Sequence, residues 1–178
     1  MAPDNAALMT GDSMTTDTDI TLQIATVADA VGISPLFDAY RQFYGCSSDI
    51  AAAEAWLTHN LAEAKSTIMV ARDGSDLVAF AQLYPALCSV DLVSYQILYD
   101  LYVTPTYRCR GVAASLLTAT AQWAKAQGAA RIDLETARDN RYAQRLYRKF
   151  GYTRDEVFVK FSLDLKYWSD NKTLTADR

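Results

Sequence analysis

The stretch DLYVTPTYRCRGVAASLL, which runs from Asp100 to Leu117, joins two different patterns of side chains. Its first residues close an apolar and aromatic run that is typical of a β-strand. Its last residues open a run of small and apolar side chains with helical spacing. Between the two lie a proline, two arginines on either side of Cys109, and Gly111. The stretch therefore predicts a strand and a helix joined by a bare, positively charged turn.

This turn has the form of an anion-binding site. The first amides of a helix lack partners within the helix and carry a partial positive charge, so a preceding glycine lets the backbone approach a phosphate. Gly111 permits that approach, and Ala113 and Ala114 keep the neighbouring side chains small. Arg108 and Arg110 add positive charge. An ordinary strand-to-helix turn with solvated arginines accounts for the same residues equally well. The spacing excludes the Rossmann fingerprint and the P-loop, which need further glycines or a lysine.

Outward from this stretch, the chain alternates between strand and helix patterns. Asp73 and Gly74 lie between two apolar runs and predict a hairpin, and Thr26 is expected to cap the first helix. The predicted strands cover residues 20–25, 66–71, 77–84, 95–103, 131–137 and 156–165. The predicted helices cover residues 27–43, 50–65, 112–127 and 140–150. The order β-α-α-β-β-β-α-β-α-β predicts one layered α/β (α+β) domain with a mixed sheet.

The composition limits the classes of partner. A chain of 178 residues with 51% hydrophobic residues is sufficient for one domain with one core. Its net charge of -4 and pI near 4.9 argue against nucleic-acid binding and favour a cationic partner. The three cysteines are far apart and His59 is the only histidine, so neither a disulfide framework nor a metal site is expected.

The two ends of the chain are expected to lie outside the folded domain. Residues 1–19 lack the basic start and the apolar block of a secretory signal, and no apolar run is long enough to span a bilayer. We therefore expect a cytoplasmic protein without a membrane partner. Residues 1–19 are predicted to be a disordered leader, residues 20–165 the domain, and residues 166–178 a polar tail.

Two blocks of sequence resemble the GNAT superfamily of N-acetyltransferases. YVTPTYRCRGVAASLL is similar to the acetyl-CoA loop of that family, whose pattern Q/R-x-x-G-x-G/A is filled by Arg108, Gly111 and Ala113. DNRYAQRLYRKFGY, residues 139–152, resembles the second block, in which an asparagine opens a helix, a tyrosine follows two turns later and F-G-Y closes it. Cys109 is a departure, because glycine is common at that position. The resemblance covers residues 20–165 and implies a mixed, mostly antiparallel central sheet flanked by helices.

The resemblance also implies an activity and the roles of individual residues. It implies transfer of the acetyl group of acetyl-CoA to a primary amine by direct attack in a ternary complex. Asn140 and Ala143 would contact the cofactor arm, and Tyr147 would be both a cofactor contact and the general acid. From the residues alone, Asn140 is a natural N-cap and Tyr147 an ordinary core tyrosine. The resemblance places the remaining cofactor contacts at Leu101, Tyr102, Val103, Arg108, Cys109, Arg110, Gly111, Val112, Ala113 and Ala114.

The general base and the acceptor are less closely defined. The acidic strand at Asp100 resembles that of relatives acting on polyamines and other small amines, but Tyr99 stands where some of them have a glutamate base. Asp100 is therefore a candidate catalytic base, and a structural carboxylate at a strand irregularity is an equal alternative. Glu135 is a weaker candidate. Four aromatic residues of the first two helices are expected either to border an acceptor pocket or to lie in the core: Tyr40, Phe43, Tyr44 and Trp56.

The favoured hypothesis is an N-acetyltransferase acting on a small amine, a polyamine or an amino acid. Acetylation of a protein lysine or N-terminus is one alternative. A non-catalytic module that binds acyl-CoA is another, and the presence of both Tyr147 and Asp100 favours an enzyme over it. The sequence leaves a homodimer open.

Overall fold

The computed structural model describes residues 20–166 and Trp168. The predicted leader, residues 1–19, and most of the predicted tail lie outside the described residues. The strands are β1 (Ile20–Ile24), β2 (Thr67–Asp73), β3 (Asp76–Cys88), β4 (Val93–Val103) and β5 (Ile132–Leu134). The α-helices are α1 (Ala30–Phe43), α2 (Ile50–Ala62), α3 (Val112–Ala126) and α4 (Arg141–Lys149). Short 3-10 turns precede α1 and α3, at Val27–Asp29 and Pro105–Tyr107. None of the helices within the described part is long and apolar enough to cross a bilayer.

The strands form one mixed sheet in the order β1-β2-β3-β4-β5. Neighbouring strands are antiparallel from β1 to β4, and β4 and β5 are parallel. A parallel pair needs a crossover connection, and α3 lies within the one between β4 and β5. The predicted mixed, mostly antiparallel sheet flanked by helices is therefore confirmed. The predicted hairpin is also present, with Gly74 in the left-handed conformation at φ 57°.

Both faces of the sheet are buried. In β2, Ile68 and Val70 pack into the core formed with α1 and α2, whereas Met69 and Ala71 pack into the core formed with α3. This alternation follows from the two-residue period of a strand. A strand with two buried faces reads as a continuous apolar run, which is why this segment was recognisable from sequence.

The strand β4 changes its pairing in the middle. Its register with β3 shifts between Leu98 and Asp100, so Tyr99 is an extra residue in a β-bulge. Its pairing with β5 covers only Gln96 to Leu98. From Tyr99 to Val103, β4 therefore has a strand partner on the β3 side alone among the described residues, and the sheet opens along its other edge.

A buried carboxylate fixes the corner between α1 and α2. The side chain of Asp38 is 2% exposed and accepts hydrogen bonds from Arg41 at 2.9 Å and Gln42 at 2.9 Å. It also accepts bonds from the Ser48 hydroxyl at 2.6 Å and the Asp49 amide at 2.8 Å. The bonds from the Asp49 amide and the Ser48 hydroxyl hold the pKa of Asp38 below its ordinary value. Because these donors lie in the last turn of α1 or just before α2, the carboxylate ties the two helices together.

The prediction of a last strand at residues 156–165 is wrong. This segment has no strand in the structure, and its apolar side chains are exposed. The Asp155 carboxylate accepts hydrogen bonds from the amides of Val157 at 2.8 Å and Phe158 at 3.0 Å, and such a local turn competes with strand pairing. The neighbouring edge is also short, because β5 has only 3 residues. The alternating pattern indicated which side chains share a face, but it could not supply a partner for the backbone.

We expect Asp38→Ala to lower the melting temperature by roughly 5–10 °C, because four donors in a buried corner would lose their acceptor. Asp38→Asn should keep part of the network and cost less. Calorimetry at neutral pH measures both changes, with Glu63→Ala, an exposed position just after α2, as the control. A melting temperature within about 2 °C of wild type for Asp38→Ala would show that the corner does not depend on this carboxylate.

Candidate active site

The loop before α3 offers backbone amides and open space. Gly111 is the N-cap of α3 and has a φ of 84°, a left-handed conformation that favours glycine. A Cβ added to Gly111 would meet no atom within 4 Å, so protein packing does not require the glycine. The amides of Val112, Ala113 and Ala114 begin the helix, and the described residues supply no acceptor for them. This arrangement fits the predicted role of the loop in binding the pyrophosphate of acetyl-CoA.

Two other residues of the loop are Cys109, which has an unusual backbone angle, and Arg110, which contacts an aromatic ring. Cys109 has a φ of 59°, which gives a physical reason why glycine is favoured at this position. The guanidinium of Arg110 lies 5.4 Å from the ring centroid of Tyr107, and the Tyr107 hydroxyl donates to Asp73 at 2.7 Å. Tyr107 therefore anchors the loop to the β2–β3 hairpin, while Arg110 stays exposed next to Gly111.

The open edge of β4 leads directly into this loop. Leu101, Tyr102 and Val103 lie on the part of β4 that has no β5 partner, so backbone groups along that edge are available to an extended ligand. Arg108 folds back along the strand, with its Nε donating to the Val103 carbonyl at 2.9 Å. Its guanidinium lies 5.6 Å from the ring centroid of Tyr102. The carbonyl of Val103, one of the three strand residues expected to contact the cofactor, thus already accepts a hydrogen bond within the chain.

Asn140 and Ala143 form the cap of α4. The Asn140 side-chain oxygen accepts a hydrogen bond from the Ala143 amide at 3.2 Å, which is the N-cap role expected from sequence alone. The side-chain nitrogen of Asn140 has no partner among the described residues, so it can still donate to a ligand.

Tyr147 combines a core ring with an unused hydroxyl. The ring packs against the core formed with α3, together with Leu146 and Phe150, and its centroid lies 5.7 Å from that of Tyr152. Burial, helped by the neighbouring Tyr44 and Tyr152, raises the pKa of Tyr147 to about 12. The hydroxyl has no hydrogen-bond partner within the described chain. Tyr147 therefore keeps its proton at neutral pH and has an O–H group to offer a ligand.

Asp100 is a buried carboxylate at the bulge of β4. It is 6% exposed, and the Tyr40 hydroxyl, which donates to the Tyr99 carbonyl oxygen at 3.3 Å, lies beside it. Burial raises the pKa of Asp100 to about 6, and the nearby Tyr40 hydroxyl acts in the opposite direction. Asp100 is thus mostly ionised at neutral pH, yet it binds a proton roughly 100-fold more tightly than an ordinary aspartate. Its position at a strand irregularity agrees with the alternative of a structural carboxylate. Its raised proton affinity agrees with the alternative of a catalytic base.

A cavity of about 340 Å³ opens beside Asp100. Tyr40 and Trp56, two of the four predicted aromatic candidates, line it, whereas Phe43 and Tyr44 do not. The full lining is Phe37, Tyr40, Arg41, Ala52, Ala53, Trp56, Tyr84, Tyr99 and Asp100. The cavity therefore draws on α1, α2, β3 and β4 together.

Sequence reasoning missed three aromatic residues of this cavity, namely Phe37, Tyr84 and Tyr99. One signal was present, because Gln82 and Tyr84 are two residues apart in an otherwise apolar strand and so share a face. Gln82 is fully buried, and its side-chain nitrogen donates to the Tyr84 hydroxyl.

Tyr44, just after α1, lies near both halves of the candidate site. Its ring packs edge to face on that of Tyr40, with centroids 5.1 Å apart, and its hydroxyl contributes to the raised pKa of Tyr147.

The remaining candidates lie elsewhere. Glu135 is exposed and forms an ion pair with Lys160 at 2.6 Å, and His59 lies on α2 at 2.7 Å from the Lys65 amine. A larger cavity, about 630 Å³, contains neither Asp100 nor Tyr147, and its Arg72 and Asp29 are paired with each other at 2.7 Å. Within the described residues, no group of three or more His, Cys, Asp or Glu side chains is arranged to hold a metal.

Comparison with known proteins gives a consistent family. Residues 33–152 match the model of the Acetyltransferase (GNAT) family. The uncharacterized N-acetyltransferase YhfO of Bacillus subtilis (strain 168) is 39% identical over 141 residues, which cover 79% of this chain and 95% of that protein. A crystal structure of a probable acetyltransferase is 34% identical with a TM-score of 0.77, covering 82% of this chain and 97% of that chain.

One structure of lower sequence identity contains CoA. An aminoglycoside N-acetyltransferase in complex with CoA has a TM-score of 0.71, covering 82% of this chain and 95% of that one. At 17% identity it shows a shared fold alone.

The raised pKa of Asp100 predicts a stability cost. The folded protein keeps a proton on Asp100 that the unfolded chain has lost between about pH 4 and pH 6, so the free energy of unfolding falls as pH rises through that window. The cost at pH 7 is on the order of 3 kcal/mol. Asp100→Asn, which cannot ionise, should therefore gain stability relative to wild type as the pH is raised from 4 to 7.5.

Denaturant unfolding of both proteins at several pH values measures this difference. The exposed Asp76→Asn serves as the control and should show no comparable trend. A difference between Asp100→Asn and wild type that stays constant across the pH range would contradict the assignment of a raised pKa.

Proposed function

Because the chain belongs to the GNAT acetyltransferase family, we propose that it acetylates a small primary amine bound in the cavity beside Asp100. The family relation makes the chain an acetyl-CoA-dependent N-acetyltransferase. The choice of acceptor is carried by the setting of Asp100, a buried carboxylate on the wall of an aromatic cavity at the bulge of β4. A carboxylate in such surroundings attracts an ammonium group and can take a proton from it.

The residues that would hold acetyl-CoA follow the chain from β4 into α3. Leu101 and Tyr102 offer backbone groups on the open edge of β4, and the amides up to Ala114 offer an anion site at the start of the helix. The space beside Gly111 and the unpaired side-chain nitrogen of Asn140 support the same assignment. When bound, acetyl-CoA supplies an acetyl group activated as a thioester.

Asp100 is assigned the role of general base. An alkyl ammonium has a pKa of about 10.4, so forming the neutral amine near pH 7 costs about 4.6 kcal/mol. Asp100 offsets part of this cost by accepting the proton, directly or through a water molecule. Its raised proton affinity makes it a better acceptor than an exposed aspartate, while a pKa of about 6 leaves it ionised and ready at neutral pH.

Tyr147, the general acid that the family resemblance implies, is assigned the role of hydrogen-bond donor to the departing sulfur. As the C–N bond forms and the C–S bond breaks, two protons leave the nitrogen; one ends on the sulfur and the other passes through Asp100 to solvent. With a pKa of about 12, Tyr147 is a weaker acid than a thiol, so it stabilises the thiolate by hydrogen bonding more readily than by full proton transfer.

The two alternatives differ from this proposal in what they require of the cavity. A protein acceptor would present one side chain or a terminus on a larger surface, and a cavity of about 340 Å³ bordered by aromatic rings suits a small molecule. A module that only binds acyl-CoA would have no use for a buried carboxylate that costs stability.

The direct test is release of the CoA thiol from acetyl-CoA in the presence of small amines, a lysine peptide and a peptide with a free N-terminus. Turnover with small amines at a kcat/KM at least tenfold above either peptide supports the proposal. Binding of CoA without turnover on any acceptor would favour the module, and a preference for a peptide would favour a protein substrate.

Gly111→Val should weaken CoA binding by at least 30-fold, because a branched side chain would fill the space that a phosphate needs and would strain the left-handed backbone. Gly128→Val is a matched control, since Gly128 lies after the other end of α3 with a φ of 78° and equally open surroundings. Isothermal titration with CoA measures both. Equal losses in the two variants would show that the effect is backbone strain and not ligand exclusion.

Tyr147→Phe should lower kcat by about 10- to 100-fold while leaving the Kd for acetyl-CoA nearly unchanged, because only the hydroxyl is removed from a ring that stays packed. Tyr152→Phe, which alters the neighbouring ring, should keep wild-type turnover. Wild-type kcat in Tyr147→Phe would remove this residue from the mechanism.

A further inference from the structure

We infer that the cavity beside Asp100 selects primary monoamines with an apolar or aromatic body over diamines and polyamines. This inference rests on the proposed function and adds the chemical class of the acceptor. It follows from the charges, the aromatic rings and the size of the cavity.

The lining offers neutralisation for one positive charge. Asp100 is the only carboxylate among the described lining residues. Arg41 also lines the cavity; its guanidinium is paired with Asp38 at 2.9 Å and brings a positive charge to the wall. A second ammonium inside the cavity would lie against the buried Ala53 or near that guanidinium, where it would lose hydration and gain no carboxylate in exchange.

Gln82 supports one ring of the wall from behind. It is the register partner of Asp100 across β3 and β4, so the two side chains lie on the same face of the sheet. Gln82 is fully buried and is not a lining residue, and its side-chain nitrogen bonds the hydroxyl of Tyr84, which lines the cavity. Among the described lining residues, Asp100 is therefore the one carboxylate that the three N–H donors of an ammonium can reach.

Aromatic rings form most of the remaining wall. Tyr84 and Tyr99 meet edge to face with centroids 5.6 Å apart, and Phe37 and Tyr40 lie 6.4 Å apart on the α1 side. Trp56 is 53% exposed, although it borders the cavity. Rings of this kind stabilise a nearby ammonium through their faces and bind an apolar body by contact.

The size of the cavity limits that body. A volume of about 340 Å³ is near the lower end of the roughly 300–1,000 Å³ usual for small-molecule sites. One ring on a short chain suits such a site better than an oligosaccharide or a long polyamine.

The charge argument is tested with two acceptors of equal length, butylamine and 1,4-diaminobutane, by measuring release of the CoA thiol. We expect kcat/KM for butylamine to exceed that for 1,4-diaminobutane at least tenfold, although the diamine offers two reactive nitrogens. Phenethylamine should be at least as good as butylamine. An equal or higher kcat/KM for the diamine would overturn the inference while leaving the proposed function intact. Absence of turnover with every amine would instead reject the proposed function.

A variant designed to gain activity on the diamine tests the charge argument more sharply. Ala52 is exposed, borders the cavity and is the third residue of α2, where a glutamate is favourable for the helix. Ala52→Glu adds the second carboxylate that the cavity lacks. It should raise the ratio of kcat/KM for 1,4-diaminobutane over butylamine at least fivefold. An unchanged ratio in the folded variant would contradict the charge argument.

The aromatic contact is tested with Trp56→Ala. We expect kcat/KM for phenethylamine to fall at least fivefold more than that for methylamine, because only the larger body reaches the indole. Tyr142→Ala removes an 81% exposed ring on α4 and is the control, with no change for either amine. Equal losses for phenethylamine and methylamine in Trp56→Ala would show a structural role and would overturn the assignment of the cavity.

Discussion

The separation of β4 from β5 after Leu98 is the constraint on which the rest of the site depends. A strand inside a sheet needs partners on both edges, because unpaired backbone groups away from water cost free energy. β4 keeps its β3 partner to the end but pairs with β5 at only three positions. The open edge that results leads into the loop at Gly111, and the bulge at Tyr99 falls at the same point. One irregular strand therefore supplies the free backbone, the approach to the anion loop and the position of Asp100.

Two buried aspartates on the α1 side of the molecule show how surroundings separate structure from chemistry. Asp38 accepts four hydrogen bonds, and its pKa is lowered, so it stays charged as a fixed joint between helices. Asp100 has the Tyr40 hydroxyl beside it but no such set of donors among the described residues, and burial raises its pKa to about 6. The pKa of the same residue type is thus shifted in opposite directions, because hydrogen bonds satisfy the charge of Asp38 and leave that of Asp100 poorly satisfied. A carboxylate that is left poorly satisfied is the one suited to exchanging protons.

Local signals in the sequence predicted most of the elements well. The hairpin at Asp73 and Gly74, the turn between β4 and α3 and the Asn140 cap each depend on a few neighbouring residues, and each is present. The cavity beside Asp100 was predicted only in part, through Tyr40 and Trp56, because Phe37, Tyr84 and Tyr99 join them only through sheet register and helix packing. The last strand failed for a related reason: residues 156–165 have the alternation of a strand, but pairing depends on a distant partner. The hydrogen bonds that Asp38 accepts could not be predicted either, because one of their donors is as far along the chain as Asp49.

Net charge and local charge answer different questions about the acceptor. A net charge of -4 favours the approach of any cation, because the field of the whole molecule acts over long distances. It does not determine how many positive charges the site accommodates, which depends on the groups that remain after water is excluded. Asp38 is acidic and close to the cavity, but Arg41 already neutralises it. On the proposed function, the number of unpaired carboxylates at the wall, and not the number of acidic residues in the chain, would therefore determine the charge of an amine bound in the cavity.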